Sequence, residues 1–402
     1  MRMLSSRALC FVACLLLGAA MVRAASAQPS PGDRSVRAAI DAAVQKERKI
    51  FGGHTPVPGV LIEVSDKTGN YVRTYGYADL ATHRNLTAQD YFRIGSNTKT
   101  FVISVLLQLV DEKKLRLDDP LSTFALGVDI PNAQNITVRE LCQMRSGLFE
   151  AYNTPEIAKM NITGKSTFDA RTLVGWAVHQ KLLFAPGTKY NYSNTNYLIL
   201  GLIIEAITKD TVAHEIEDRL LRKFALSHTS YPETQEMPNP WAHGYGLNAK
   251  KGWDDVSGTI PVSLMGSAGE MVSDMQDMTT WTKLYVTGKT NGAATQKERL
   301  DCIYTGKGNN YFGLGIGCSA GYFGYTGGLP GYNTANFYEP STGTFILAWV
   351  TVQNDTPAPG VANAIAREIA RILTPDHVPF LVTAEAANTR PHRQPARFVH
   401  GR

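Results

Sequence analysis

Two side chains near position 96 have the types and the spacing needed to activate a nucleophile. Ser96 lies three residues before Lys99, in the run Phe92-Arg93-Ile94-Gly95-Ser96-Asn97-Thr98-Lys99-Thr100-Phe101. A spacing of three places both side chains on one helical face, where a hydroxyl and an amine can share a proton. A serine hydroxyl is a poor nucleophile at neutral pH and needs an adjacent base. This is the only Ser-x-x-Lys in the chain, although the pattern alone also occurs by chance where it carries no chemistry.

The residues after Lys99 predict the helix that must position this pair. Residues 101–110 are apolar on all sides and end at the charged residues 111–114, which is typical of a buried helix. Its first turn would carry Ser96 and Lys99, and its free N–H groups and positive dipole end would favour a developing oxyanion. Burial at this helix start would make Lys99 easier to deprotonate, and so able to act as a base.

Two further stretches present polar groups at defined places. Residues 190–197, with the sequence Tyr-Asn-Tyr-Ser-Asn-Thr-Asn-Tyr, lie between a Pro-Gly turn and an apolar helix. A capping turn with Ser193 or Asn194 as N-cap is the structural alternative for this loop. Residues 324–332, Gly-Tyr-Thr-Gly-Gly-Leu-Pro-Gly-Tyr, predict a strand whose glycines would let a substrate backbone lie against its edge. Taken alone, that segment is an ordinary strand and turn.

The N-terminal segment predicts an exported protein, and the net charge does not indicate nucleic-acid binding. Residues 1–27 read as an export signal, with a charged start, an apolar core at residues 8–22 and a cleavage site at Ala25-Ser26-Ala27. The formal charge is +5, and removing the three arginines of this segment leaves 5 − 3 = +2, which is no nucleic-acid footprint. No other run is long and apolar enough to predict a membrane span. We therefore expect a secreted or periplasmic protein.

The cysteines and histidines favour one disulfide and no metal site or cofactor. Cys302 and Cys318, 16 positions apart around a glycine-rich turn, are the candidate pair in an oxidising compartment. Cys142 lies in a helical pattern and is expected to be a buried structural thiol. The nine histidines show no paired-ligand spacing.

The remaining periodicity predicts an α+β fold of the α/β-sandwich type. Strand patterns lie near both ends, at residues 59–64 and 71–75 and as three expected strands within 311–352, and helical patterns, including one at 275–286, lie between them. One antiparallel sheet built from both ends, with the first and last helices (34–49 and 361–373) on one face and the helical middle on the other, is the expected assembly. We expect one domain over residues 28–383, followed by a basic tail at 384–402 with little to bury.

Taken together and in this order, the three motifs resemble those of the penicillin-recognising serine hydrolases, whose Ser-x-x-Lys, Tyr-x-Asn and Lys/His-Thr-Gly elements meet in one cleft. The match looks closest to secreted D-alanyl-D-alanine carboxypeptidases and their esterase and class C β-lactamase relatives. It spans residues 59–373. Beside the three motifs, its specific points are Arg145-Ser146-Gly147-Leu148, Pro186-Gly187 and Ser267-Ala268-Gly269. The family fold implied is β-lactamase/transpeptidase-like.

The resemblance implies a role for each matching residue. Ser96 resembles the acylated nucleophile, Lys99 its proton partner, and Tyr192 the general base, whose phenol a neighbouring Lys99 cation would make easier to deprotonate. Asn194 resembles the amide that orients Lys99 and the substrate carbonyl. The expected strand edge and oxyanion hole comprise Tyr325, Thr326, Gly327 and Gly328, with the N–H groups of Ser96 and Gly328 receiving the oxyanion.

Two lookalike motifs receive a structural interpretation. Lys67-Thr68-Gly69 precedes Ser96 and falls in a predicted hairpin turn, whereas the family's third motif follows the serine. Residues 266–269 lack the Gly-x-Ser-x-Gly register of a nucleophile elbow.

The chain departs from the family at two positions. Tyr325 replaces the usual lysine or histidine, and Gly317 stands where the carboxypeptidases carry an arginine for the substrate carboxylate. Without these cations, a desolvated substrate carboxylate would lack a partner. We expect an acyl-Ser96 hydrolase of esters or amides, with carboxypeptidase, esterase and β-lactamase activity open. Its partner would be an ester, an acyl-peptide or a peptidoglycan stem peptide. The alternative is a binding protein that acylates slowly or not at all.

Overall fold

A nine-stranded antiparallel sheet forms the centre of the fold, and segments from near both ends of the chain make its middle strands. In the computed structural model, which describes residues 29–52, 55–250, 252–353 and 360–380, the strand order is β3-β2-β1-β13-β12-β11-β10-β9-β8. Two short pairs, β4 with β7 and β5 with β6, lie outside this sheet. The strands are β1 Gly59–Ser65, β2 Asn70–Asp79, β3 Arg84–Asn85, β4 Phe92–Arg93, β5 Tyr245–Leu247, β6 Trp253–Asp255, β7 Val272–Ser273, β8 Ile303–Tyr304, β9 Tyr311–Phe312, β10 Gly317–Ser319, β11 Tyr322–Leu329, β12 Tyr332–Glu339 and β13 Thr344–Val350.

The helices divide between the two faces of this sheet. They are α1 Arg34–Gly52, α2 Thr98–Asp111, α3 Val138–Cys142, α4 Pro155–Lys159, α5 Ala170–Val178, α6 Thr195–Thr208, α7 Val212–Ile216, α8 Val262–Met265, α9 Met275–Val286, α10 Ala293–Arg299 and α11 Val361–Leu373. The terminal helices α1 and α11 pack together over one face, around Val44, Ile62 and Ile365. The helices from the middle of the chain cover the other face, around Phe101, Tyr197 and Trp281. The predicted α+β sandwich is confirmed.

Most predicted elements appear close to their expected bounds. The hairpin at residues 59–75 is β1 and β2, and the helices predicted at 275–286 and 361–373 are α9 and α11. The region at 311–352 was expected to hold three strands, but it contains five, β9 to β13, because positive-φ glycines at 315 and 321 break the first part into short pieces. The predicted export signal and the basic tail lie outside the described residues.

The helix that carries Lys99 differs from the prediction at its start. Ser96 lies in a separate 3₁₀ turn, Gly95–Asn97, and α2 begins at Thr98. Gly95 has φ +53°, a left-handed conformation that favours glycine over residues with a β-carbon. The nucleophile candidate therefore sits on a tight turn just before the buried helix, rather than within its first turn. None of the described helices has the length and apolar character needed to cross a bilayer.

Candidate active site

Ser96 lies at the centre of the contacts that the sequence predicted. Its hydroxyl oxygen is 2.9 Å from Lys99 Nζ and 2.8 Å from Tyr192 Oη. Ser96 comes from the turn before α2, Lys99 from the first turn of α2, and Tyr192 from the loop before α6. The fold thus brings residues 96 positions apart within hydrogen-bonding distance of one oxygen.

Lys99 is fully buried and uses all three of its N–H groups. Besides Ser96 Oγ, Lys99 Nζ donates to Asn194 Oδ1 at 2.7 Å and to the carbonyl oxygen of Ala268 at 2.5 Å. The ring centroids of Tyr192 and Tyr197 lie 5.2 and 5.5 Å from the same nitrogen, so aromatic faces add favourable contacts for a cation. An ammonium group has three donors and no acceptor, and each of these donors has a partner.

Asn194 is held in turn by Glu150, which the sequence analysis did not single out. Glu150 Oε2 accepts from the Asn194 backbone N–H at 2.7 Å and from Asn194 Nδ2 at 3.2 Å. Glu150 Oε1 accepts from the Tyr152 backbone N–H at 3.2 Å. Its place two residues after Leu148 follows no helical or strand period, which is why the sequence pattern gave no signal for it.

The wall opposite the nucleophile turn is β11. Gly327 and Gly328 pack directly against the turn: a β-carbon on Gly327 would lie 2.0 Å from the Ile94 carbonyl oxygen, and one on Gly95 would lie 2.9 Å from Gly328 N. No side chain larger than hydrogen fits at Gly327 without movement of the turn. The register of β10 with β11 ends at Gly324, so among the described strands the part of β11 from Tyr325 onward is paired only with β12. This leaves an edge beside Ser96, at Thr326 and the residues after it.

Tyr325 is buried, with its ring edge-on to Phe312 at a centroid distance of 5.8 Å. Its hydroxyl faces Tyr192 but forms no hydrogen bond of ordinary geometry with any described residue. Burial holds the pKa of Tyr325 well above its usual range, and Tyr192 adds to this shift. Position 325 therefore brings a neutral hydroxyl, and no cation, to the site.

Gly317 does not face the site, contrary to the expectation from the family pattern. A β-carbon on Gly317 would lie 3.7 Å from the ring of Phe380, which packs with the cluster beneath α1 and α11. Side chains alternate between the faces of a strand, and Tyr325 belongs to the opposite face. An arginine at 317 would thus begin on the wrong side of the sheet to reach Ser96.

The two lookalike motifs have structural roles. Thr68 and Gly69 close the β1–β2 hairpin, donating their N–H groups to Asp66 Oδ1 at 2.7 and 3.0 Å. The buried Ser267 donates its hydroxyl to the Tyr197 carbonyl oxygen at 2.8 Å. Residues 67–69 therefore do not form the strand edge of the site, and Ser267 is not placed as a second nucleophile.

Cysteine and possible metal ligands lie apart from Ser96. Cys302 and Cys318 are joined in a disulfide with their Cα atoms 6.5 Å apart, and Cys142 is a buried free thiol whose pKa burial raises. In the described part of the chain, one group combines metal-ligand types at close range, His228, Asp274 and Asp277. Asp274 caps α9 and Asp277 accepts the His228 backbone N–H at 2.8 Å, so both carboxylates are used in the fold.

A buried polar pair lies beside the nucleophile turn. Arg93 in β4 donates to the Gln235 carbonyl oxygen and side chain at 2.7 and 3.0 Å. Together with Glu270 it lines a cavity of about 20 Å³, room for about one water molecule. Burial raises the pKa of Glu270 to about 8. The hydrogen bonds of Arg93 to Gln235 connect β4, the strand that leads into Ser96, to the loop that contains Gln235.

Comparison with known proteins agrees with this architecture. A family model described as Beta-lactamase matches residues 36–371, most of the chain. The chain belongs to this family. The family is of the penicillin-recognising serine hydrolase type, as the motifs of the sequence indicated, and the structure has its mixed α/β fold.

Of two relatives of this beta-lactamase-family chain, one is named as a putative penicillin-binding protein and the name of the other states no activity. The putative penicillin-binding protein PbpX of Bacillus subtilis (strain 168) is 24% identical over 292 residues, 72% of this chain and 70% of that protein. Protein flp of Staphylococcus aureus (strain MW2) is 31% identical over 204 residues, half of this chain and 40% of that protein.

Solved structures of similar fold include two amidohydrolases. A D-stereospecific amidohydrolase from Streptomyces sp. is 26% identical, with a TM-score of 0.71 over 83% of this chain and 98% of that one. The D-amino acid amidase of Ochrobactrum anthropi SV3, in complex with D-phenylalanine, is 22% identical, with a TM-score of 0.73 over 84% and 99% of the two chains. The latter likeness concerns the fold alone.

Proposed function

We propose that this chain is a serine hydrolase that forms an acyl-enzyme on Ser96 from an amide or ester and then transfers the acyl group to water. The observation that carries the proposal is the pair of contacts at Ser96 Oγ, with Lys99 Nζ at 2.9 Å and Tyr192 Oη at 2.8 Å. A hydroxyl with an adjacent proton acceptor and a fixed cation is what nucleophilic catalysis requires.

Tyr192 is the favoured proton acceptor. Lys99 already donates three hydrogen bonds as an ammonium group and has no lone pair to receive a proton. In the acylation step, Ser96 Oγ bonds to the substrate carbonyl carbon while its proton moves to Tyr192 Oη, which acts in its phenolate form next to the Lys99 ammonium group. The carbonyl electrons return as the bond to the leaving group breaks, and Tyr192 gives that group the proton. Water repeats the sequence in deacylation, and the N–H groups of Ser96 and Gly328 would hold the oxyanion in both steps.

The substrate class follows from the charges around the site. Tyr325 is neutral and has a hydroxyl without an ordinary hydrogen-bond partner among the described residues. A free substrate carboxylate would meet no cation at this position, and an unpaired buried charge is costly. We therefore propose neutral esters and amides as the preferred substrates, ahead of peptides ending in D-Ala-D-Ala. The name of one structural neighbour, a D-stereospecific amidohydrolase at 26% identity, supports amides of D-configured compounds, such as D-phenylalanine amide, as the first substrates to assay.

The test combines labelling with turnover. Intact mass after incubation with a fluorophosphonate should show one adduct on wild type and none on Ser96→Ala. The Ser122→Ala variant is the matched control, since Ser122 is exposed and lies in a separate turn, Leu121–Thr123. Wild type should hydrolyse a p-nitrophenyl ester and D-phenylalanine amide, and Ser96→Ala should hydrolyse neither. Undiminished turnover by a folded Ser96→Ala variant would exclude the mechanism.

A slow-acylating penicillin- or peptide-binding protein is the second candidate. The neutral Tyr325 and the likeness to a putative penicillin-binding protein favour it. A penicillin adduct that persists for hours without ester turnover would support this candidate, whereas rapid loss of the penicillin would indicate β-lactamase activity. We also propose export through residues 1–27, with a peptidoglycan stem peptide as one ligand to assay.

A further inference from the structure

Glu150 lies directly behind the contact between Lys99 and Asn194. It immediately precedes the 3₁₀ turn Ala151–Asn153 and caps that turn through its Oε1 contact with Tyr152 N. Its other oxygen, Oε2, accepts from both Asn194 N and Asn194 Nδ2. The carboxylate thus contacts the backbone and the side-chain amide of the same residue, and Asn194 contacts Lys99 in turn.

The charge of Glu150 decides which way the Asn194 amide points. An ionised carboxylate accepts hydrogen bonds and cannot donate, so it must face Nδ2. The Asn194 oxygen is then directed at Lys99 Nζ, which can only donate. The reverse amide orientation would place Nδ2 against the ammonium group and Oδ1 against the carboxylate, two repulsive contacts at once. With both neighbours charged, only the observed orientation is satisfied.

We propose that Glu150 is a positioning residue for catalysis, whose ionised carboxylate fixes the Asn194 amide and, through it, the place of Lys99 Nζ beside Ser96. This inference rests on the proposed acyl-Ser96 hydrolase and deepens it. Glu150 itself acts through Asn194, and its contribution depends on the carboxylate being charged.

The expected pH dependence has a definite sign. Burial raises the pKa of Glu150, and this shift is opposed by the Asn194 and Tyr152 N–H groups and by Lys99. Among the described residues, the titratable groups that face Glu150 are Lys99 on α2 and Tyr152 in its own turn. Because the pKa is raised, the active charged form prevails above that value and is lost as pH falls through it. The acidic limb of the kcat/KM profile should therefore lie above the usual glutamate range.

The test is the pH profile of ester hydrolysis for Glu150→Gln. Glutamine keeps the size but removes the charge, so kcat should fall about ten- to hundredfold with KM little changed, as for loss of a hydrogen bond to a charged group. The acidic limb should disappear or shift, since nothing at position 150 titrates. In the Asn194→Ala background, adding Glu150→Gln should cost nothing further, because the effect passes through Asn194.

Glu140→Gln is the matched control, since Glu140 also accepts a backbone N–H, from Thr137 at 2.8 Å, in the capping box of α3. It should retain wild-type rate and pH profile. A Glu150→Gln profile identical to wild type, or an equal loss in the presence and absence of Asn194, would overturn the proposal. Melting temperatures of the variants separate these outcomes from misfolding.

Failure of the proposed function can be recognised separately. A wild-type chain that is neither labelled by a fluorophosphonate nor active would refute the hydrolase itself. The role of Glu150 is then decided by crystal structures of wild type and Glu150→Ala. An unchanged Asn194 orientation and Lys99 position in the variant would overturn the positioning role, and a rotated or displaced Asn194 amide would uphold it.

Discussion

Replacing Gly327 by alanine should disable the site by moving the nucleophile turn. A β-carbon at this position would lie 2.0 Å from the Ile94 carbonyl oxygen and 2.5 Å from Thr334 Oγ1. Ordinary contact begins at 3.4 Å, so the Ile94 carbonyl would have to retreat by 3.4 − 2.0 = 1.4 Å. Ile94 is two residues before Ser96, and a displacement of about 1 Å in a reacting group can cost about 100-fold in rate. We expect kcat/KM for a p-nitrophenyl ester to fall at least about 100-fold.

The assay for Gly327→Ala needs a stability measurement beside the rate. Part of the strain can appear as lost stability, about 1–3 kcal/mol for an overpacked site, so thermal unfolding should be followed together with turnover. Gly175→Ala is the control: it lies inside α5, its β-carbon would meet only Val128 at 3.7 Å, and it should gain about 0.5–1 kcal/mol with unchanged activity. A Gly327→Ala enzyme within threefold of wild type would show that the turn does not need this close approach.

Three further outcomes are expected. Tyr192→Phe keeps the ring and removes the proton-carrying oxygen 2.8 Å from Ser96, so kcat should fall about 10²–10⁴-fold; a loss below about fivefold would make Tyr192 structural. Tyr325→His, assayed at pH 6 where histidine is largely charged, should raise the kcat/KM ratio of a D-Ala-D-Ala peptide to a matched neutral ester by about five- to thirtyfold, or 1–2 kcal/mol. An unchanged ratio would mean that another group supplies the charge. Replacing Cys302 and Cys318 by serine should lower the free energy of unfolding in urea by about 3 kcal/mol, and no change would show that the bridge adds little.

The part of the site that sequence could predict is the part made by short motifs. Ser96 and Lys99 are three residues apart, in a turn and in the helix that directly follows it. Tyr192 and Asn194 lie in one loop. The geometry within each pair is therefore largely local. The relative position of the two segments depends on the packing of α2 against α6. The apolar patterns of both helices indicated that each is buried, but not that they pack against each other. The close approach of Gly327 to Ile94 could not be predicted from the sequence pattern either, since it depends on the course of the whole sheet.

Glu150 and Gly317 show why the rest required the structure. A lone glutamate in a loop has no period, and its importance comes from the 44 residues of separation to Asn194 that the fold closes. Gly317 was assigned to the cleft by alignment with a family pattern, but a strand's side chains alternate faces. The irregular break between β9 and β10 sets which face position 317 takes, and sequence alone did not show that break.

The central place of β13 in the sheet has a consequence for how the chain acquires its structure. β1 pairs with β13 along its length, with Val60 opposite Val350, a separation of 350 − 60 = 290 residues. Pairings of such long range are slow to form, because a large loop must close before any contact is gained. The turn that carries Ser96 lies near the start of this long segment, and β11, which packs against the turn, lies near its end. A nascent chain therefore holds a nucleophile without a cleft until nearly all of it has been synthesised, and hydrolytic competence should arrive late and cooperatively.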